Sequence, residues 1–410
     1  MIKLYLILND IIVPLFVGFS ITSLLAIGDM PSYLIYSFLL VVFSFIKGFY
    51  DNYYSIHFSE KLRISFVTGV TLIFFQLIYH SLNSMDINIV VFFSWILITI
   101  LILLIRYIFK ILNYSKNNIT ISIIGNLYEF NDHEIKILNN KQFKVYFYDK
   151  LEHYLEKIDS LSDTNNLAVI NIPTAILQNN KLLSRVNSIS LAQFMETYLR
   201  KIYIDDKDAF LNINEYDKSA LVLKRLIDFV AVLALAPLLI FTSLYMIIMK
   251  WAKGYDGSLI FKQKRYGISK NIFSIFKLRT MFMDSDSDGN TVTNDQRIYS
   301  FAKSLRKFRL DELPQIINII SGDMHLVGPR AEWVKLSDMY SENIDNYELR
   351  NIVRPGITGW AQVLYQYGFN IQDSKQKLMY ELYYIKNWSV WLELEICIKT
   401  ITVILDKKGF

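Results

Sequence analysis

Four long apolar runs open the chain, at roughly residues 5–27, 32–50, 63–82 and 87–110. Each is near the ~20 residues that a helix needs to cross a bilayer. Short polar loops join them, which suits two antiparallel helical hairpins. Lys3, Lys47, Lys61, Arg63, Arg106, Lys110 and Lys116 all fall on one side if both termini are cytoplasmic, while the opposite loops, around residues 29–31 and 83–86, hold no Lys or Arg. That asymmetry is the positive-inside pattern and sets the orientation. Asp10 lies within the first span near a helix end, where a structural role or a partner inside the bundle is expected. The first run is long and lacks a small-residue cleavage site, so no cleavable signal is expected.

From 113 to 212 the pattern changes to short apolar strands alternating with short amphipathic helices. Residues 119–124, 143–148 and 167–172 read as buried strands, and 132–138 and 151–161 as helices. This alternation predicts a Rossmann-like α/β domain. After the first strand comes Gly125-Asn126-Leu127, with only the first glycine of G-x-G-x-x-G, so no dinucleotide site is expected. A Tyr-x-x-x-Lys match at Tyr146 and Lys150 begins inside a strand and is read as coincidence. Residues 213–220 are polar and read as a linker.

A fifth apolar segment, 221–251, differs from the first four. Lys224, Arg225 and Asp228 stand at its start, Pro237 near its centre, and Lys250 and Lys253 at its end. A full span would carry everything after it across the membrane. A helix broken at Pro237 enters and leaves by one face, because proline removes a hydrogen bond and bends the axis. Positive charge at both ends favours this re-entrant form. Lys224, Arg225, Asp228 and Pro237 are accordingly expected to be structural.

Composition agrees with a membrane protein: 53% of the 410 residues are hydrophobic and 15% aromatic, with a mean hydropathy of +0.27. A net charge of +5 with no long basic run argues against a nucleic-acid partner. One cysteine, Cys397, excludes an intrachain disulfide and a cysteine-rich zinc site, and the five histidines show no metal-ligand spacing.

The region after 255 is more polar and holds the candidate chemistry. Residues 258–267 and 273–281 interleave Lys262, Lys264, Arg265, Lys277 and Arg279 with aromatics, as a phosphate and headgroup surface or an ordinary basic strand face would. Residues 284–295, DSDSDGNTVTND, read as a flexible acidic loop without calcium-loop spacing. Residues 308–330, FRLDELPQIINIISGDMHLVGPR, set Asp311 and Glu312 just after Arg309 and before Pro314, then a Gly322-Asp323 turn and Gly328-Pro329-Arg330. Asp311 is expected to open a helix, either as a simple cap or facing an anion with Arg309 and Arg330 nearby. In 354–363, RPGITGWAQV, Gly356 and Gly359 fix a turn that brings backbone close to a ligand. In the tail, Tyr383, Tyr384, Trp388 and Trp391 suit either a helix on the membrane surface or plain core packing.

Residues 220–410 resemble the bacterial sugar transferases, the monotopic phosphoglycosyl transferases. The likeness runs through KRLIDFV, FKQKRYG, FKLRTM, RLDELPQ, GDMHLVGPR, RPGITGWAQV and YELYYIKNWS. The N-terminal spans and α/β domain resemble the large members, the polyprenyl glycosylphosphotransferases of exopolysaccharide type. The resemblance implies a mostly α catalytic domain over 221–410. It also implies transfer of a sugar 1-phosphate from a UDP-sugar to undecaprenyl phosphate at the cytoplasmic face of the inner membrane, starting exopolysaccharide, capsule or O-antigen synthesis. Asp311 maps onto the nucleophilic aspartate and Glu312 onto its Mg²⁺-binding neighbour. A carboxylate nucleophile splits one phosphoryl transfer into two through a covalent phosphosugar intermediate. Arg279, Arg309 and Arg330 are expected to clamp phosphate oxygens, and Lys277, Arg265 and Gln263 to join them in binding substrate. Ala236, His325 and Ala331 depart from the family's usual serine, serine and proline. The histidine is expected to tune the site. Inner-membrane lipid, a homodimer through the α/β domain and downstream glycosyltransferases are the further partners expected. A non-catalytic assembly scaffold and a membrane-tethered nucleotide-sugar dehydratase are the alternatives. No residue in the sequence reads the sugar.

Overall fold

The computed structural model describes residues 11–16, 34, 101, 119–125, 128–140, 143–158, 166–170, 187–205, 210, 213–254, 257–282, 297–365 and 370–405. The expected four-helix bundle and the acidic loop at 284–295 lie outside the described residues, apart from the helical positions 11–16, 34 and 101. Two compact units divide the chain, Met1–Ile119 with Asn140–Lys144, and Thr120–Asn139 with Val145–Phe410. The account below concerns the second.

Strand β1 (Ile119–Ile124), helix α1 (Asp132–Asn140), β2 (Phe143–Tyr148), α2 (Leu151–Ile158), β3 (Asn166–Ile170) and β4 (Asn187–Ser190) alternate along the chain. They form a sheet in the order β2-β1-β3-β4, with β1 to β3 and β3 to β4 parallel. From Thr120 to Ile124 every residue of β1 is buried, as expected of an inner strand in a parallel sheet covered on both faces. Gly125 follows with φ 101°, and its N–H donates to the Tyr148 carbonyl at 2.8 Å. This glycine therefore joins two strand ends. Ser190 then caps the short helix α3 (Leu191–Phe194), accepting from Gln193 N at 3.2 Å.

Helix α4 (Lys218–Lys253) runs 36 residues, about 54 Å at 1.5 Å per residue. Asp217 caps it, accepting from Ala220 N at 2.7 Å, and Gly254 ends it in the left-handed conformation. The helix continues without interruption through Pro237, so the expected break is not a gap in the helix. It is the one described helix long and apolar enough to cross a membrane. Its buried positions are Ala220, Lys224, Asp228 and Ala231 on one flank and Thr242, Met246 and Lys250 on the other. Between them no residue is buried, and Leu233, Pro237, Leu238, Ile240 and Phe241 are exposed. Both flanks pack on the same body. Val232 joins a cluster around Ile275, Ile319 and Met324, and Met246 joins Leu278 and Leu305.

The body itself begins with an antiparallel hairpin, β5 (Ile260–Tyr266) and β6 (Ile272–Leu278). Helix α5 (Lys303–Lys307), a 3-10 turn (Leu310–Gln315) and α6 (Ile316–Ser321) follow, then β7 (His325–Val327), α7 (Val334–Asn343), β8 (Gly356–Thr358), α8 (Trp360–Leu364), α9 (Ile371–Lys386) and α10 (Val390–Leu405). Strands β7 and β8 pair in parallel, with His325 beside Gly356 and Val327 beside Thr358. A Cβ on Gly328 would sit 2.7 Å from the Arg354 carbonyl oxygen, and Gly356 is equally blocked by Gly328. Gly356 and Gly359 of the 354–363 stretch thus bring backbone against the backbone of Gly328.

The tail resolves its two readings. Tyr383 and Tyr384 are buried in α9, as are Tyr380, Leu382 and Ile385, so this helix is core and not a surface helix on lipid. On α10, Leu394, Ile398 and Ile401 remain exposed at helical spacing.

Candidate active site

The site is assembled where the 3-10 turn crosses the β5–β6 hairpin. Register puts Gln263 opposite Ile275, Arg265 opposite Phe273 and Phe261 opposite Lys277. Side chains of directly opposed residues share a face. Gln263, Arg265 and Lys277 therefore lie on one face, while Lys262 and Lys264 fall on the other and are exposed. The basic run is thus divided by strand alternation into an inward set and an outward set.

Arg309 precedes the turn in the left-handed conformation, φ 56°, and makes no side-chain cap. Asp311 is consequently the second residue of the 3-10 turn and does not occupy the cap position that the sequence suggested. With three residues per turn, Asp311 and Glu312 point about 120° apart. Asp311 is buried and Glu312 nearly so. Lys277 Nζ donates to Glu312 Oε1 at 2.7 Å.

The two carboxyls are driven apart in acidity. Burial, then the charge of Glu312, push Asp311 up to about 6, against the opposing pull of Lys277 and Arg306. Burial also pushes on Glu312, but Lys277, Arg330 and Arg309 outweigh it and hold that carboxylate well below its ordinary range. Glu312 is therefore a fixed anion. Asp311 titrates near neutrality, the condition for a group that must be ionised to attack yet remain poorly solvated. Burial lowers Lys277, with Glu312 opposing, and brings Arg265 down to about 10.

The remaining expected residues are distributed as follows. Arg330 and Arg309 lie close enough to Glu312 to act on it. Arg265 is committed to protein, donating to Ala331 O at 3.0 Å and to Gln263 Oε1 at 2.6 Å, with Glu332 at 3.9 Å. Arg279 sits just beyond β6, its guanidinium carbon 5.6 Å from the Phe261 ring centre. Lys224 Nζ donates to Val327 O at 3.0 Å and Tyr384 Oη at 2.7 Å, and pairs with Glu393. Arg225 donates to Ile319 O at 3.1 Å. Asp228 accepts from Leu326 N at 2.7 Å and contacts His325 Nδ1 at 2.6 Å. His325 is buried and joined to Asp228 of α4, so it helps to anchor the long helix.

Arg306 was missed by sequence reasoning. It acts on Asp311 and donates to Thr280 Oγ1 at 3.1 Å. Asn318 was also missed. It is fully buried and pins α6 to β6, accepting from Phe276 N at 3.2 Å and donating to Ser274 O at 2.8 Å. Arg306 follows Lys303 on α5 at helical spacing, the only trace of it that the sequence carries.

Among the described residues no group of three or more His, Cys, Asp or Glu side chains stands ready for a metal ion. Magnesium commonly takes one or two carboxylates and completes its shell with substrate phosphates and water. Glu312, ionised and hydrogen-bonded through Oε1 alone, fits that mode.

The bacterial sugar transferase family model matches residues 219–407. An uncharacterised sugar transferase, EpsL of Bacillus subtilis (strain 168), is 34% identical over 189 residues, 46% of this chain and 90% of that protein. A UDP-N-acetylgalactosamine-undecaprenyl-phosphate N-acetylgalactosaminephosphotransferase of Aeromonas hydrophila is 42% identical over 155 residues, 37% of each chain. A UDP-glucose:undecaprenyl-phosphate glucose-1-phosphate transferase of Xanthomonas campestris pv. campestris is 39% identical over 161 residues, 37% of this chain and 32% of that protein. The chain thus spans about a third of the length of these last two relatives.

Proposed function

Because the chain belongs to the bacterial sugar transferases, we propose that it transfers a sugar 1-phosphate from a UDP-sugar to undecaprenyl phosphate, releasing UMP. One observation carries the reading: a buried carboxyl of raised pKa, Asp311, beside a carboxylate held ionised by Lys277, Arg309 and Arg330. The named activities of the relatives from Aeromonas hydrophila and Xanthomonas campestris support the same donor and acceptor classes.

In the first step an Asp311 carboxylate oxygen attacks the phosphorus that bears the sugar. The bond from that phosphorus to the bridging oxygen breaks, UMP leaves with the bridging oxygen, and the phosphosugar is held as an acyl phosphate. In the second step a phosphate oxygen of the acceptor attacks the same phosphorus, the aspartyl–phosphorus bond breaks, and the Asp311 carboxylate is restored. Arg330, Arg309 and Lys277 meet the diphosphate charge. Glu312 would hold a Mg²⁺ ion, whose charge when bound neutralises the diphosphate and eases departure of UMP.

Helix α4 is read as entering and leaving the membrane by one face. Its two flanks pack on one body while the stretch around Pro237 is uncovered, which supports this over a simple span. The acidic pair is then held at the lipid boundary on the cytoplasmic side, where a water-soluble nucleotide and a lipid phosphate can both reach it.

The test is UMP release by the full chain in nanodiscs with undecaprenyl phosphate, Mg²⁺ and either UDP-glucose or a UDP-N-acetylhexosamine. Release that is lost in Asp311→Asn, with a phosphosugar adduct on the wild-type Asp311 peptide, is the expected result. Folded protein that releases no UMP from any UDP-sugar refutes the proposal.

A further inference from the structure

One buried ion pair grips both backbone polar groups of Arg330. Its N–H donates to Glu381 Oε1 at 3.0 Å, and its carbonyl accepts from Arg350 Nη2 at 2.7 Å. The same Nη2 lies 2.8 Å from the same Glu381 oxygen. Arg350 and Glu381 are 4% and 3% exposed, and Tyr347 both hydrogen-bonds Arg350 and lies 4.9 Å beneath its guanidinium. A buried pair gains little net stability over apolar side chains of the same size, because desolvation opposes the attraction. Stability therefore gives a weak account of charges in this place. Orientation gives a stronger one: with both peptide groups tied, the Arg330 side chain leaves the backbone in one direction, and its charge lies close enough to act on Glu312.

Glu381 belongs to α9, and the α/β sheet region grips that helix at other turns. Lys201 Nζ donates to Gln376 Oε1 at 3.1 Å and to Tyr128 Oη at 2.8 Å, and pairs with Glu134. Gln376 Nε2 donates to Tyr128 Oη at 2.8 Å, and Tyr128 donates on to Glu134 at 2.6 Å. Ile202 N donates to Met379 O at 2.9 Å, and Arg200 reaches Tyr383 Oη at 3.3 Å. Lys201 and Glu134 are almost completely buried, so this network fixes the register of α9 and does more than decorate a surface. Gln376 and Glu381 are five residues apart, about 7.5 Å along one rigid helix.

We propose that Glu381 and Arg350 are positioning residues for Arg330, and that α9 carries the docking of the α/β sheet, through Tyr128, Lys201 and Gln376, to that anion-binding arginine. The inference rests on the transferase reading. Two readouts test it on the full chain in nanodiscs: equilibrium affinity for UMP, which needs no turnover, and KM for the UDP-sugar. Glu381→Gln weakens UMP binding and raises KM, each about tenfold, and in an Arg330→Ala background it adds nothing further. Independent, multiplying effects of the two changes overturn the proposal. Tyr128→Phe removes one hydroxyl from the network and leaves the buried Lys201–Glu134 pair in place. It weakens UMP binding roughly threefold, again only when Arg330 is present, and unchanged UMP affinity in this folded variant refutes transmission along α9. Wild-type protein that neither binds nor releases UMP refutes the transferase reading instead.

Discussion

Asp311→Asn is expected to abolish turnover and to stabilise the protein. The structure holds the Asp311 carboxyl up, from 3.8 to about 6, chiefly by burial and next by the charge of Glu312. A carboxyl whose folded pKa exceeds its unfolded pKa binds more protons when folded. Stability therefore falls as pH rises from about 4 through 6, and the loss is complete above that window. A rise of roughly two pH units at 1.36 kcal/mol each is about 3 kcal/mol. Asparagine has the same shape and no charge to desolvate, so it recovers about 3 kcal/mol at pH 8 and roughly half of that at pH 5. The measurement is the melting temperature of nanodisc-embedded wild type and variant at both pH values, beside UMP release. A variant that melts no higher than wild type at pH 8, or that gains equally at both pH values, refutes the argument that burial strains this carboxyl.

The wild-type rate should fall below pH 6 as Asp311 takes up its proton. Glu312→Gln removes the second-largest cause of the raised pKa, so the acid limb of that profile moves to lower pH while the plateau drops; a limb that stays near 6 denies the coupling. Gly356→Ala places a methyl group on the Gly328 backbone and should cost about 3 kcal/mol of stability, read as a lowered melting temperature, with an unchanged value counting against the close approach. With Cys397 replaced by Ala, a cysteine put at Lys253 should be labelled only from the cytoplasmic side, and periplasmic labelling would defeat the re-entrant reading of α4.

Adjacent carboxylates beside a proline, in a block dense with basic and turn residues, drew attention to Asp311 and Glu312, but a plain helix cap read equally well there and only the family resemblance gave the pair its roles. What acts on them was only partly legible. Lys277 was one of five basic residues interleaved with aromatics, and only the hairpin register separates it from Lys262 and Lys264 and brings it to Glu312. Arg350 and Glu381, by contrast, are separated by 31 residues and meet only after α9 has packed on the 3-10 turn Tyr347–Ile352. No periodicity encodes that meeting. Strand β4 escaped notice because Asn187, Ser188 and Ser190 make it polar and its parallel neighbour β3 is distant in sequence. The tail was ambiguous for a physical reason as well. Tyr and Trp at helical spacing suit a lipid interface and a packed core alike, and only the position of α9 between other elements decides for the core.

On the re-entrant reading proposed above, the anchoring of α4 follows from the lipid around it. An apolar side chain gains little by leaving lipid tails for an apolar protein surface, so greasy contacts alone would not fix how such a helix sits on its body. Polar contacts can, because each has one partner and is poorly satisfied anywhere else in that medium. On the first flank of α4 Lys224 reaches the Val327 carbonyl, Tyr384 and Glu393, Asp228 reaches the Leu326 N–H and His325, and Arg225 reaches the Ile319 carbonyl. Three of these links end on β7, two on α9 and α10, and that of Arg225 on α6, which continues directly from the 3-10 turn that bears Asp311 and Glu312. Strand β7 leads through Gly328 to Arg330. On the proposed reading, the depth and rotation of α4 in the membrane are thereby tied by short polar links to both Asp311 and Arg330. Asp228→Asn should expose this tie. It leaves the apolar face of α4 unchanged, weakens the bonds to Leu326 and His325 by about 1–3 kcal/mol, and should lower both the melting temperature and the rate of UMP release. A variant that melts lower yet releases UMP at the wild-type rate would show that the helix holds the protein in the membrane without placing its active site.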